Sequence, residues 1–376
     1  MFEYGSQTPI KFKGEYDQRI YAFDFDNTLM YGNAIPEWVL IKINQIKHLP
    51  IVIFTNQLGI SQGKTTADSV RERLDKFKTT CGFQPIATTA RADECSLEPA
   101  DGGVEATACA NVCSEQLYIF VATANDNYRK PHVEMFQTFM RKYVTGNPRI
   151  IFCGDAAGRP GDHNDTDRKF AMNCRMEFVT PEVFFGLRQR DDPGERYVWR
   201  GVDPVDAYDR LMKSVPKLTQ RVRELVIMVG PPSSGKSTFA KNIFHGYVYI
   251  NQDELKTRQK CVKETIRAAR FGTSIVVDNT NPSADVRKLY VDIAREHNYY
   301  VRCVYVSVDM ELAKHLNGYR VAQGGRAIPN VAYGAYQRRF EFPAPVEGFD
   351  EILTVLPGPW NLTEKLTELF MHRYSN

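Results

Sequence analysis

Short apolar segments that each end in a polar residue, with helical stretches between them, constrain the fold of this chain more than any other feature. The first half carries four of them, RIYAFDFD, PIVIFTN, LYIFVATA and RIIFCGD. Strands that alternate with helices favour a parallel α/β sheet, and such sheets bind ligands beyond the carboxyl ends of their strands. The sequence therefore predicts a ligand site where these polar residues stand.

The same pattern restarts in the second half with ELVIMVG, TSIVVD and YVRCVYVSV. At 376 residues the chain is long enough for two domains of roughly 150 residues each. Turn residues and charges in RQRDDPGER and GVDPVDAYD, between the two patterns, predict a linker. We expect an α/β fold with two domains, residues 1–188 and 223–376, each a parallel sheet flanked by helices, joined by a linker over residues 189–222.

Composition argues against several classes of protein. No long apolar run is present, so we expect no membrane span, and the first residues lack the continuous apolar stretch of a secretory signal. Eight cysteines at irregular positions predict free thiols in a reducing, intracellular compartment. The net charge of +3 is too small to indicate a nucleic-acid partner by itself.

The segment FDFDNTL predicts the chemistry of the first half. It places Asp24 and Asp26 one residue apart after a strand, so that both side chains share a face. One carboxylate can attack a phosphate monoester, and a second can protonate the leaving oxygen and later deprotonate water. We expect Asp24 to be the nucleophile and Asp26 the acid and base. Carboxylates beside a phosphate require a cation, and Mg²⁺ held by Asp24, Asp26 and Asp155 suits this site.

Three further strand ends complete a predicted phosphate site. Thr55 and Asn56 can donate hydrogen bonds to phosphate oxygens, and Lys130 in YRKP supplies positive charge. Each of these residues also has a structural explanation, since Thr55 is a good strand former, Lys130 can be a solvated charge and Asp155 can belong to a turn. Four matches in order, each at a strand end, favour the phosphate site.

These motifs resemble those of known phosphatases. The order DxDxT, Thr, Lys and a later acidic motif resembles the haloacid dehalogenase superfamily, and FTNQLGISQGK, YRKP, GDAAGRP and FVTPEVFF resemble the phosphatase half of the polynucleotide kinase 3′-phosphatase family. The resemblance implies a HAD-like domain, a phospho-Asp24 intermediate and a further acidic position at Asp162, for which Asp165 or Asp167 could serve instead. Asn27, where the family often carries Gly, departs from the pattern.

The segment between Phe83 and Leu117 is poor in large apolar side chains and contains a Gly pair and several acids. This composition predicts an inserted loop, longer than the family's, whose shortening leaves the catalytic residues in place. The spacings between the cysteines in and next to this segment fit no standard zinc-binding pattern, and no His lies among them. A zinc site is therefore not favoured. The cysteines concerned are Cys81, Cys95, Cys109 and Cys113.

The second half carries GPPSSGKST, which satisfies GxxxxGK[ST] between a strand and a helix. Backbone N–H groups and the helix N-terminus are expected to hold the phosphates of ATP, with Lys236 reaching the outer phosphates and the Ser237 hydroxyl binding Mg²⁺. Pro231 and Pro232 lack N–H groups, so the cradle relies on the residues that follow. The expected ATP contacts are Gly230, Ser233, Ser234, Gly235, Lys236, Ser237, Thr238 and Arg320.

Residues beyond the phosphate loop predict transfer to a hydroxyl acceptor. Asp253 in YINQDEL follows the next strand and is placed to accept the hydroxyl proton, with a helix cap as the structural alternative. Asp278 and Arg287 are the expected substrate contacts, Asp278 for the metal or acceptor and Arg287 for a phosphate. Arg320 and Arg326 could form a lid that stabilises charge on the phosphoryl group.

The segments NQDEL, DNTNP and YGAYQRRFEFPAPVEGF resemble the kinase half of the same family, so the resemblance covers nearly the whole chain. It implies removal of a 3′ phosphate and phosphorylation of a 5′ hydroxyl at DNA strand ends, with ATP as donor, Mg²⁺ at both sites and a nuclear location. Animal members place a phosphopeptide-binding domain ahead of the phosphatase. Because Asp24 lies near the start of this sequence, we expect no such domain here.

Two other functions stay open. One is a metabolic phosphatase–kinase fusion that acts on a small molecule, since both superfamilies serve many substrates. The other is a repair scaffold that binds strand ends without chemistry. The presence of every expected catalytic side chain argues against the scaffold; these are Asp24, Asp26, Lys130, Lys236 and Asp253.

Overall fold

A computed structural model of the chain describes residues 1–6, 8–10, 18–83, 116–188, 197–212, 218–356 and 363–374. The chain forms two compact units, Met1–Trp199 and Arg200–Asn376, and each contains its own sheet. The predicted insert, with Cys95, Cys109 and Cys113, lies outside the described residues. In the part of the chain that is described, no helix is long and apolar enough to cross a membrane.

The first unit is built on a six-stranded sheet with the strand order β1-β4-β3-β2-β5-β6. Strand β1 pairs antiparallel with β4, and all the other pairs are parallel. The strands are β1 (Phe2–Gly5), β2 (Arg19–Phe23), β3 (Ile51–Asn56), β4 (Leu117–Ala122), β5 (Arg149–Cys153) and β6 (Glu177–Val179), and the helices are α1 (Glu37–Ile46), α2 (Ala67–Thr80), α3 (Glu134–Tyr143), α4 (Thr166–Asn173) and α5 (Pro181–Phe184).

Both faces of this sheet are buried, which explains why its strands are continuous apolar runs. In β3, Ile53 packs into the core on the side of α1 and α2, whereas Phe54 points into the core on the side of α3 and α4. The Phe54 ring lies 5.9 Å from Phe139 of α3 and 5.4 Å from Phe170 of α4, centroid to centroid. Strands β2, β3 and β5 are thereby fixed side by side, with their carboxyl ends at one edge.

The second unit contains a five-stranded, wholly parallel sheet with the order β11-β10-β7-β9-β8. Its strands are β7 (Glu224–Val229), β8 (Val248–Ile250), β9 (Ile275–Val277), β10 (Tyr300–Val306) and β11 (Glu351–Val355), and its helices are α6 (Pro204–Met212), α7 (Lys236–Ile243), α8 (Gln252–Leu255), α9 (Arg258–Arg270), α10 (Ala284–Glu296), α11 (Met310–Ala322), α12 (Asn330–Gln337) and α13 (Glu364–Met371), with a 3₁₀ turn at Pro345–Glu347.

The prediction of two α/β sheets flanked by helices is confirmed. The antiparallel edge strand β1 was not predicted. Its four residues are too few to show a recognisable strand pattern in the sequence. Helix α6 lies inside the stretch expected to be a linker and packs against α13 through Leu211 and Phe370. The amphipathic spacing of PVDAYDRLM explains this helix, whose Ala207 and Leu211 are buried.

Candidate active sites

Three carboxylates and one ammonium group meet at the carboxyl edge of the first sheet. Asp24 follows β2, Asp155 follows β5 and Asp167 lies in the first turn of α4. The Lys130 Nζ lies 2.5 Å from Asp24 Oδ1 and 2.7 Å from Asp167 Oδ1. One oxygen from each of the three carboxylates lies within 4.8 Å of the others. We call these four residues the carboxylate cluster.

Burial controls the electrostatics of the carboxylate cluster. Burial raises the pKa of Asp24 well above its ordinary value, and Asp167 and Asp155 add to this effect against the opposing charge of Lys130. Burial also raises the pKa of Asp155 to about 6. Burial alone would lower the pKa of Lys130, but its contacts with Asp167 and Asp24 outweigh burial and raise it.

One lysine therefore faces three carboxylates, and the cluster has an excess of oxygen ligands and negative charge. Hard divalent cations such as Mg²⁺ prefer oxygen ligands of this kind. The residues present therefore fit a Mg²⁺ ion.

A glycine brings Asp167 into the cluster. A Cβ atom at Gly154 would lie only 2.6 Å from Asp167 Oδ2, so no larger residue allows this approach. The same oxygen accepts a hydrogen bond from the Ala156 N–H at 3.1 Å. Asp162 instead binds Arg159 at 3.0 Å, and Asp165 binds Lys169 at 2.9 Å. Of the three acids that the sequence left open, Asp167 is the one that lies in the cluster.

The Asp26 carboxylate lies outside the group that could hold the ion. Its Oδ2 accepts from Gln57 Nε2 at 2.6 Å and its Oδ1 accepts from Arg73. Gln57 Nε2 also donates to Thr55 Oγ1 at 3.0 Å, which fixes Asp26 relative to the buried Thr55. Asp26 is not one of the three carboxylates that lie together, and its expected contact with the metal ion stays a prediction. Its partly exposed position leaves room for a role as acid and base.

The Asn56 side chain binds the backbone of Lys130. Its Nδ2 donates to the Lys130 carbonyl at 3.2 Å, and its Oδ1 accepts from the Lys130 N–H at 2.9 Å. The Asn56 side chain therefore positions the backbone of Lys130, a role that the sequence did not predict. Its Nδ2 carries a second N–H donor, so the expected contact with phosphate stays a prediction. Gln57 and Arg73 are residues that the sequence did not assign, and Asp167 was named only as an alternative to Asp162. Of Gln57 and Arg73, only Gln57 carried a signal, since it directly follows the phosphate motif.

In the second unit, the GPPSSGKST loop joins β7 to α7. The loop turns through Ser233 and Gly235, and α7 begins at Lys236, so the first N–H groups of the helix face the loop. Lys236 is buried, and its Nζ donates to the Pro231 carbonyl at 2.6 Å and to Ser234 Oγ at 3.2 Å. Burial lowers the pKa of Lys236 to about 8. The loop thus has the form of an anion cradle.

A cavity of about 610 Å³ opens beside this loop. It brings the residues Ser233–Thr238 together with Asp253 and Arg320, as the sequence predicted, whereas Gly230 and Arg326 are not part of its lining. The cap of α8 is Asn251, whose Oδ1 accepts from the Asp253 N–H at 2.7 Å. The structural alternative for Asp253, a helix cap, is therefore wrong, and its carboxylate lines the cavity.

Asp278 directly follows β9 and is 2% exposed. Its Oδ2 accepts hydrogen bonds from Tyr249 and from Asn251 Nδ2, the latter at 3.1 Å. Its Oδ1 is buried and accepts no hydrogen bond within the described part of the chain. Burial of a carboxylate oxygen without a donor is costly, so Asp278 is placed to face a cation or a polar ligand.

Arg287 is corrected from a substrate contact to a structural residue. It is fully buried, and its Nε and one terminal nitrogen bind the Glu347 carboxylate, both at 2.7 Å. The other terminal nitrogen donates to the carbonyls of Asn281, Pro282 and Glu341. All three nitrogens are used inside the unit, and Arg287 does not line the cavity.

Each unit matches the profile of a known protein family. The profile of a family described as Polynucleotide kinase 3 phosphatase matches residues 19–185, and that of a family described as AAA domain matches residues 225–343. A protein of Acanthamoeba polyphaga mimivirus, named "Putative bifunctional polynucleotide phosphatase/kinase", is 33% identical over 90% of this chain and 84% of its own length.

Two cellular relatives carry similar names. A bifunctional polynucleotide phosphatase/kinase of Schizosaccharomyces pombe is 37% identical over 63% of this chain and 59% of its own length. A polynucleotide 3′-phosphatase of Arabidopsis thaliana is 40% identical over 45% of this chain and 24% of its own length.

Proposed function

The chain belongs to the family of bifunctional polynucleotide phosphatase/kinases, and on that premise we propose that it removes 3′ phosphates from nucleic-acid ends and phosphorylates 5′ hydroxyls with ATP. The proposed phosphatase activity is supported chiefly by the contact of Lys130 with both Asp24 and Asp167 at the carboxyl edge of the sheet. The proposed kinase activity is supported chiefly by the presence of Lys236, Arg320 and Asp253 around one cavity. DNA strand ends are the proposed substrate. We also propose a nuclear location, which imaging of the tagged chain in its source cells tests.

In the phosphatase reaction, an Asp24 oxygen attacks phosphorus and displaces the 3′ oxygen of the strand. Asp26 donates a proton to this leaving oxygen as its bond to phosphorus breaks. A water molecule then attacks the phospho-Asp24 and gives its proton to Asp26, which releases inorganic phosphate and restores both carboxyl groups. Lys130 neutralises the phosphoryl oxygens, and Thr55, whose hydroxyl accepts from Gln57, is placed to donate to one of them.

Asp24, Asp155 and Asp167 would hold a Mg²⁺ ion, which supplies charge neutralisation for the phosphate when it is bound. In the kinase, the Ser237 hydroxyl would hold a second Mg²⁺ together with the ATP phosphates.

In the kinase reaction, the 5′ oxygen of the strand attacks the γ-phosphorus of ATP while the bond to the β-phosphate oxygen breaks and ADP leaves. Asp253 accepts the proton of the attacking hydroxyl. Lys236 and the planar guanidinium of Arg320 lie on the cavity wall, where they can neutralise charge on the transferred group. No residue of the first unit is needed for this step.

One oligonucleotide that bears a 3′ phosphate and a 5′ hydroxyl tests both halves. With Mg²⁺ alone, we expect release of inorganic phosphate from the 3′ end only. Addition of γ-labelled ATP should then transfer label to the 5′ end. Rising salt should weaken both reactions, because contacts with the strand's phosphates release counterions. Equal turnover on sugar phosphates and free nucleosides would contradict the proposal and favour a small-molecule enzyme.

A further inference from the structure

Two aromatic side chains beside the phosphatase site enclose an arginine. The guanidinium carbon of Arg168 lies 4.0 Å from the ring centroids of both Tyr197 and Trp199. A cation at this distance from an aromatic face is attracted by the electrons of the ring, and planar guanidinium groups stack well on such faces. We call Tyr197, Trp199 and Arg168 the aromatic shelf.

The aromatic shelf is tied to the same loop that builds the carboxylate cluster. Between the two aromatic residues, the Val198 N–H donates to the Gly158 carbonyl at 2.7 Å. A Cβ atom at Gly158 would lie 2.9 Å from the Val198 carbonyl oxygen, so the close approach requires glycine. Gly158 is only three residues beyond Asp155 of the cluster.

The arginine of the shelf is the chain neighbour of a cluster residue. The backbone N–H groups of Asp167 and Arg168 both donate to the Ala156 carbonyl, at 3.1 and 3.2 Å. Asp167 points to Lys130, and Arg168 points to the two rings. The shelf therefore flanks the site at which a terminal phosphate is proposed to react.

The rings are partly open. Tyr197 is 36% exposed and Trp199 is 37% exposed, so part of each aromatic side chain faces solvent. The phosphatase chemistry described above uses neither ring. A nucleobase offers a flat face to an aromatic ring whatever its sequence, and aromatic platforms beside a basic group are a common way to bind single strands.

We propose that the aromatic shelf binds the bases of the last two nucleotides at the 3′ end of the substrate strand. The inference rests on the proposed function, and it adds the part of the strand that the phosphatase recognises besides the phosphate. Stacking on Tyr197 and Trp199 holds the terminal sugar near Asp24, and Arg168 adds positive charge close to the strand. Because stacking tolerates every base, the shelf selects strand ends without reading their sequence.

The test compares two 3′-phosphorylated oligonucleotides that differ only in the last two nucleotides, which carry bases in one and are abasic in the other. For Trp199→Leu, we expect the KM for the ordinary strand to rise about 10-fold with kcat nearly unchanged. The KM for the abasic strand should stay the same. Trp199→Phe should restore the ordinary KM, and Tyr197→Leu should behave like Trp199→Leu. Met172→Ala, at an exposed site on α4, is the matched control.

A second measurement follows binding of the strand without the phosphatase reaction. The chain has three tryptophans, so replacement of Trp38 and Trp360 by Phe leaves Trp199 as the only tryptophan reporter. Titration with the ordinary oligonucleotide, without Mg²⁺, should quench this fluorescence, and the abasic strand should quench it far less.

The outcomes separate the two proposals. Equal effects of Trp199→Leu on both strands, or a ring that no oligonucleotide quenches, would show that the segment only packs against the loop. A wild-type protein that releases no phosphate from either strand would contradict the proposed function itself. A wild-type protein that is active on both strands with the same KM would contradict the shelf alone.

Discussion

Asn56 binds the backbone of Lys130 through two hydrogen bonds, one donated at 3.2 Å and one accepted at 2.9 Å. The two residues are 74 positions apart, since Asn56 ends β3 and Lys130 lies between β4 and α3. Through this contact, the end of β3 sets the position of the lysine that neutralises the phosphate. Asn56 is therefore a positioning residue, and its contribution should be visible in turnover more than in binding.

Asn56→Ala should lower the kcat of the phosphatase by about 100-fold, because a small displacement of a catalytic group is enough for such a loss. The KM should change less than kcat, because both hydrogen bonds that the Asn56 amide makes go to the backbone of Lys130. Steady-state kinetics on a 3′-phosphorylated oligonucleotide give both constants, and the kinase rate of the same preparation shows that the second unit is intact. A large rise in KM with kcat preserved would return Asn56 to the phosphate.

Asp167→Asn should raise the Mg²⁺ concentration needed for half-maximal phosphatase activity by about 10-fold or more, because it removes one of three carboxylate charges from the cluster. The substitution keeps the shape that packs on Gly154. Asp162→Asn is the matched control, since Asp162 pairs with Arg159 and should leave the Mg²⁺ requirement unchanged. A Mg²⁺ titration in which the two variants behave alike would contradict the assignment of Asp167.

Arg287→Met should lower the free energy of unfolding of the second unit by about 3–5 kcal/mol, because it leaves the Glu347 carboxylate without its buried partner. Chemical denaturation followed by intrinsic fluorescence measures this loss. Below the transition, the KM for the oligonucleotide acceptor should stay within about 2-fold of wild type, as expected for a residue outside the cavity.

Arg320 serves as the control for this experiment, because its replacement is expected to affect kinase activity more than stability. It lines the cavity, so Arg320→Met should impair the kinase with ATP while unfolding changes by less than about 1 kcal/mol. If Arg287→Met raised the acceptor KM strongly in a stable protein, the arginine would belong to the substrate site after all.

The sequence predicted the parts of each site that depend on local pattern. Asp24, Asp155 and Lys236 stand next to apolar strands or within a spaced motif, and the ends of parallel strands meet at one edge, so their convergence follows from the fold class. The same argument predicted that Asn56, at the end of β3, lies at this site. Its hydrogen bonds could not be foreseen, because they depend on a loop far along the chain.

The residues whose contacts the sequence did not predict depend on tertiary structure. Arg287 has its ion-pair partner 60 positions away, and its neighbours in sequence give no sign of burial. Asp26 meets Arg73 from α2, at a separation of 47 positions. Asp167 enters the cluster because Gly154 leaves space for it, which is a packing fact that no spacing rule contains. In each case, the deciding neighbour comes from another element of the fold.

Asp24→Asn and Lys236→Ala should separate the two activities, since neither proposed mechanism uses the residues of the other. Asp24→Asn keeps the shape of the side chain but removes the nucleophile and a candidate Mg²⁺ ligand, so the phosphatase should fall to background while the kinase persists. Lys236→Ala removes the cation that reaches the ATP phosphates and should have the reverse effect. Both rates are measured on one doubly reactive oligonucleotide, with circular dichroism as the check on folding. Loss of kinase activity in folded Asp24→Asn would mean that the two reactions share a site.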